Sequence, residues 1–195
     1  MIAKIKDLIN EYSNAVIQAN SVYKQAVKHI KSNYKEGSDL YTSAMKTAQE
    51  VKETAIRPIL DDCKGAVKEV FEEVRNRISS AVAVAPSSDV MAILPLISAG
   101  KLNDTELQII VDAHKNRYID SKLIQDAMGK GVEFTTVEAV LQDLDVLQAG
   151  VEQYFKTYHG EPLERMSYNN ALVMMGSTLE DTNEMVNNFL NTYGE

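Results

Sequence analysis

Tryptophan is absent, cysteine occurs once, and the 195 residues hold only 4 Pro and 9 Gly. A lone cysteine cannot close an internal disulfide, so the chain does not read as a stapled secreted domain and fits a reducing compartment. The scarcity of Pro and Gly, with 45% apolar residues, excludes collagen-like and disordered chains and leaves helix as the natural state. Long apolar runs are missing as well. No segment approaches the roughly 20 apolar residues of a membrane span, and MIAKIKDLINEYSNAV lacks an uninterrupted apolar signal core. The expectation is a cytoplasmic protein with no membrane span.

Positive charge is short only in one region. Residues 1–85 carry 13 Lys/Arg against 11 Asp/Glu, residues 86–132 carry 5 against 6, and residues 133–195 carry 2 against 11. The net charge of −8 therefore comes from the last third, where phosphate repulsion argues against nucleic-acid binding.

Motifs of chemistry are also lacking. One Cys and the scattered His29, His114 and His159 make no zinc pattern. Gly129-Lys130-Gly131 lacks the upstream glycine and the following Ser/Thr of a phosphate loop, and Asp143-Leu144-Asp145 lacks the Gly and Glu of a calcium loop. Cys63 falls among apolar positions and reads as a packed thiol. Met166, Met174, Met175 and Met185 read as adaptable core, with a soft binding groove as the lesser alternative. No catalytic residue, cofactor site or metal site is expected, and the protein is read as a non-enzyme.

What is present is a count of eleven. Tyr12-x-x-Ala-Val returns as Tyr23-x-x-Ala-Val, and the column Met1, Tyr12, Tyr23, Tyr34, Met45, Ile56, Val67, Ile78 is apolar throughout. The column Leu8, Ala19, Ile30, Tyr41, Lys52, Cys63, Val74, Ala85 fails once, at Lys52. Eleven residues in three turns is about 3.67 per turn, so the columns form one stripe along a nearly straight helix. Lys35, Lys46, Arg57 and Lys68, followed at i+4 by Asp39, Glu50, Asp61 and Glu72, belong to its solvated side. The candidate interaction face is Tyr12, Val16, Tyr23, Val27, Ile30, Tyr34, Ile56, Val67 and Val74. Whether one helix or a hairpin carries it turns on residues 36–39. Gly37 before Ser38 and Asp39 is hairpin punctuation, whereas the register runs unbroken through the glycine. The punctuation favours the hairpin, and Pro58 is expected to bend the second helix without ending it.

Beyond AVAVAPSSDV, residues 81–90, the helices are shorter. Ser87 or Ser88 should cap one through Ile97 with Gly100 closing it, and Asn103 with Glu106 forms a capping box for one through His114. Further helices are expected over residues 120–128, from Thr135 or Thr136 to His159-Gly160, and over Pro162–Tyr193 with a break at Gly176-Ser177. The pair around residues 103–128 invites a helix-turn-helix reading, but Lys122 beside Asp120 and Asp126 supplies too little positive charge. The fold class is all-α: residues 1–84 a long amphipathic arm or coiled coil, residues 85–195 an acidic helical domain.

The run AGKLNDTELQIIVDAHKNRYIDSKLI, residues 99–124, behind an amphipathic N-terminal region, resembles segments of small helical proteins from the structural-gene regions of phages of Gram-positive bacteria. The resemblance implies a virion-associated or assembly protein, in the host cytoplasm or the virion, and carries no catalytic residues. The expected function is structural: self-association into a homo-oligomer, or docking on another protein, through the helical face. The alternative is an acidic module that regulates a protein partner, as a nucleic-acid mimic. Membrane-surface binding by the repeats is disfavoured by Tyr12, Tyr23 and Tyr34 in the stripe and by the mixed-charge flanks.

Overall fold

The computed structural model describes residues 1–129, 135–158 and 162–194, and in the last stretch the side chains from residue 178 onward. Among the described residues the chain is all helical: α1 Ile2–Asn33, α2 Asp39–Val82, α3 Ser88–Ser98, α4 Asp104–His114, α5 Tyr118–Met128, α6 Val137–Thr157 and α7 Pro162–Tyr193. None of these helices is long and apolar enough to cross a membrane.

Local chemistry explains most of the boundaries. The first long helix ends where Tyr34 turns extended, and Gly37 adopts φ +81°, a left-handed backbone that a side chain would strain. Ser38 then accepts the Tyr41 N–H at 3.2 Å and starts α2. The two helices run back along each other, since the Cys63 thiol donates to the Leu8 carbonyl at 3.6 Å and the Lys52 ammonium sits over the Tyr23 ring. The hairpin is therefore the form the stripe takes. Pro58 lies within α2 without ending it.

Ser87 caps α3 through the Val90 N–H. The helix closes with the Lys101 N–H on the Leu96 carbonyl and the Gly100 N–H on Ile97, a Schellman ending with Gly100 at φ +62°. Asn103 and Glu106 form the expected capping box, each side chain satisfying the other's backbone N–H at about 3 Å. Thr136 accepts the Ala139 N–H and opens α6.

Two details differ from expectation. The fifth helix begins at Tyr118, two residues before the expected start, with the buried Asp120 in its first turn. The last helix runs unbroken through Gly176-Ser177. A glycine inside a helix costs only about 1 kcal/mol relative to alanine. Burying Leu179, Val186, Phe189 and Leu190 along one face outweighs that. The side chains of Met166, Met174 and Met175, and the expected stop at His159-Gly160, lie outside the described residues.

The chain divides into two compact units, residues 1–71 with 146–180 and residues 72–145 with 181–195. In the first, Ile5, Ile9, Tyr12 and Val16 of α1 and Cys63, Val67, Val70 and Phe71 of α2 are buried with Leu147, Val151, Tyr154 and Phe155 of α6. In the second, Val90, Ile97 and Ile124 form a core ringed by Ile93, Leu94, Leu107, Ile110 and Leu123. Tyr118 stands against the rings of Phe189 and Tyr193, with centroids 5.5 and 5.4 Å away, and its hydroxyl accepts the Val137 N–H at 3.0 Å.

Candidate interaction surface

The eleven-residue stripe has two fates along the hairpin. Near the open end of the hairpin it is covered. There the hydroxyl of Tyr12, 4% exposed, donates to the Phe155 carbonyl at 3.1 Å, and its ring meets Phe155 edge-on at 5.1 Å. Tyr154 stacks on Tyr158, and its hydroxyl pairs with Ser13 at 2.6 Å. Burial pushes the Tyr12 phenol above its ordinary pKa, so it stays a protonated donor.

Between Ala19 and the buried Ile30, farther toward the turn, the cover is broken. Tyr23, one repeat after Tyr12, is half-buried, and Val22 and Val51 are 54% and 56% exposed. Between α1 and α2 an open apolar groove of about 350 Å³ is lined by Ala15, Ala19, Val22, Tyr23 and Ala26 on one side and Ala48, Val51, Lys52, Ala55 and Ile59 on the other. Apolar surface left in a concave strip is where a helical partner can bury its own side chains.

Of the candidate face, Tyr12, Val16, Ile30, Val67 and Val74 are buried, Tyr23, Val27 and Ile56 are half-buried, and Tyr34 is exposed at the end of α1. The first four and Tyr23, Val27, Ile56 and Tyr34 belong to the unit that holds the groove; Val74 belongs to the other. Val22 and Val51 are additions. They fall one position before Tyr23 and Lys52, on the shoulder of the stripe, and the columns pass them by.

Cys63 is buried, and burial first, then the nearby Glu11 and Asp62 carboxylates, pushes its thiol up to about 11. A thiol held protonated near neutral pH is a poor nucleophile, so Cys63 acts as core. No three His, Cys, Asp or Glu side chains gather as metal ligands among the described residues.

A polar clamp sits in the second unit. Asp120 is 1% exposed, and its Oδ1 accepts the Ser87 N–H at 2.8 Å. Its Oδ2 has no hydrogen bond, but His114 Nδ1 and Arg117 Nε each lie 3.4 Å away, so charge rather than an in-line donor compensates it. Arg117 also donates to the Ala85 carbonyl at 2.8 Å. Burial alone would raise the carboxyl; the Ser87 N–H and hydroxyl, with the charges of Arg117 and His114, outweigh it and hold the pKa below the ordinary value. Periodicity places Asp120 in a helical first turn and gives no sign of this burial. The same unit carries a more polar cleft of about 550 Å³, where Asp181 and Glu184 stand near Gln125, Met185, Asn188 and Tyr193.

Comparison with protein families, with curated proteins and with solved structures finds no match. The functional reading therefore rests on the groove, the cleft and the clamp. Of these the clamp joins the start of α3 to the ends of its neighbours and serves the fold. The groove and the cleft face outward.

Proposed function

We propose that this is a non-enzymatic assembly protein that docks a helical partner on the hairpin between α1 and α2. The observation that carries the reading is the open apolar groove between α1 and α2, flanked by the exposed Val22 and Val51 beside a stripe that is buried around Tyr12. Past its cover the stripe still joins α1 to α2, as the buried Ile30 shows, while Val22 and Val51 on its shoulder stay more than half exposed along the groove. Its resemblance to phage structural-region proteins in residues 99–124 suggests virion assembly as the setting.

The docking reading is tested by Val22→Asp with Val51→Asp. Both side chains are more than half exposed, so the melting temperature should stay within about 2 °C, the small change expected of surface sites in a chain of this size. Association through the groove, followed by sedimentation, should disappear. A fall of many degrees in the melt would show that the two valines are packed inside the fold and would end the reading.

A second reading is favoured by the cleft that holds Asp181 and Glu184: a cationic side chain of a basic protein segment would find two carboxylates there. Binding of a lysine-rich peptide should then weaken steeply as salt rises, because exposed charges are screened beyond about 8 Å at physiological ionic strength. Salt-indifferent binding, or binding unchanged by Asp181→Asn with Glu184→Gln, would remove this reading.

A further inference from the structure

We propose that the basic segment received beside Asp181 and Glu184 is the lysine row on the solvent face of α1 in another copy of this chain, in a head-to-tail contact. The inference rests on the second reading above and names its partner. It leaves the hairpin groove unused.

The row belongs to α1 and the residues just after it. Residues 12–35 contain Lys24, Lys28, Lys31 and Lys35 and no Asp or Glu, in a chain where acids outnumber bases 28 to 20. At about 100° per residue, Lys24, Lys28 and Lys31 fall within about 60° of one another, and Lys35 follows just past the helix end. All four are exposed, and none is paired with a carboxylate among the described residues. Val22, at the groove, lies roughly 150° around the helix from this row, so the two surfaces are separate.

Helix chemistry accounts for only half of the row. Cations suit the negative end of a helix, which covers Lys31 in the last turn and Lys35 beyond it. The effect falls off within that turn, and Lys24 and Lys28 lie farther in. Like charges three and four residues apart oppose each other, so Lys24, Lys28 and Lys31 repel along the row. Lys46 on α2, by contrast, has Glu50 at 3.8 Å. An unrelieved local conflict of this kind marks a functional surface, and an anionic partner relieves it.

The chain itself carries that anion. Among the described residues, the first unit (residues 1–71, 146–158 and 178–180) has 12 Lys/Arg against 11 Asp/Glu. The second (residues 72–129, 135–145 and 181–194) has 6 against 13. The row lies in the first unit and the acid excess in the second. Asp181 and Glu184 are exposed and three residues apart on α7, so their spacing matches that of neighbouring lysines in the row, about 5–6 Å between Cβ atoms. The cleft beside them, of about 550 Å³, has room for lysine stems. A nucleic acid is anionic along its whole length and would be repelled by the second unit. A second copy has its acid excess on one unit only, so orientation relieves the repulsion.

The experiment follows the full chain by sedimentation at about 100 μM. In low salt the mass should exceed one chain, because a contact between unlike patches propagates head to tail. It should return to one chain toward 1 M salt, where the screening length is about 3 Å. A row variant, Lys24→Gln with Lys28→Gln and Lys31→Gln, should be monomeric and melt no lower than the wild type, since glutamine keeps helix propensity and the repulsion is gone. A cleft variant, Asp181→Asn with Glu184→Gln, should also be monomeric.

Mixing the two variants decides the proposal. The row variant keeps its cleft and the cleft variant keeps its row, so an equimolar mixture should show a mass of two chains and no more. A mixture that stays monomeric, or wild-type association that survives in either variant alone, would overturn the head-to-tail contact. A wild type that is monomeric in low salt would overturn the second copy as partner. The cleft reading would then stand or fall separately, on whether a lysine-rich peptide binds the wild type and not the cleft variant. Row-dependent binding of a short DNA duplex by a chain that stays monomeric would assign the row to nucleic acid and overturn the proposal.

Discussion

Tyr12→Ala is expected to lower the free energy of unfolding by about 3–5 kcal/mol, the range for removing a large buried aromatic side chain. Tyr12 is 4% exposed and meets Tyr154, Phe155 and Tyr158, so truncation would empty a space that three neighbouring rings cannot refill. Its hydroxyl also satisfies the Phe155 carbonyl. Tyr12→Phe should therefore cost about 1 kcal/mol, since it removes the hydrogen bond and keeps the ring. Tyr23→Ala, one repeat farther along a half-buried stretch, should cost clearly less than Tyr12→Ala. Urea unfolding of the three variants gives the comparison. Equal losses at Tyr12 and Tyr23 would show that the stripe is covered evenly and that the hairpin has no open half.

Asp120→Ala should cost about 1–3 kcal/mol, because it leaves the half-buried Ser87 N–H without its acceptor, while Arg117, 44% exposed, keeps its solvent. The Arg117 guanidinium would lose the carboxylate charge 3.4 Å away and keep its bond to the Ala85 carbonyl. The pH dependence identifies the cause. The folded carboxyl titrates below its ordinary value, and the unfolded one near 3.9. Its contribution is thus fully present above about pH 4 and is lost as pH falls through the lower folded pKa. Asp120→Asn should be less stable than the wild type at pH 7, and the gap should narrow toward pH 2. Melts across that range provide the test; parallel profiles for the two proteins would mean that Asp120 does not act through its charge.

Much of the helical layout was legible in the chain before any tertiary contact was known. Gly37 with Ser38, the Asn103–Glu106 box and Ser87 mark their boundaries through backbone conformation and bonds to near neighbours, which depend on a few adjacent residues. The eleven-residue count identified an apolar stripe for the same reason, since its phase is a property of one helix. Gly176 misled because a local weakness in a helix is judged against the packing of its whole face, including Phe189 thirteen residues away.

Only tertiary structure decided which part of the stripe is covered. Tyr12 and Tyr23 occupy the same register on the same helix, so periodicity treats them alike; α6, more than a hundred residues away in the chain, reaches one of them and makes it core. Asp120 shows the same division. An aspartate in the first turn of a helix reads identically whether solvent or Arg117 and Ser87 surround it, and its burial follows from where α3 begins in space. Local bonding and helical phase are written in neighbouring residues. Burial is a sum over distant ones, and the open groove is what that sum leaves over.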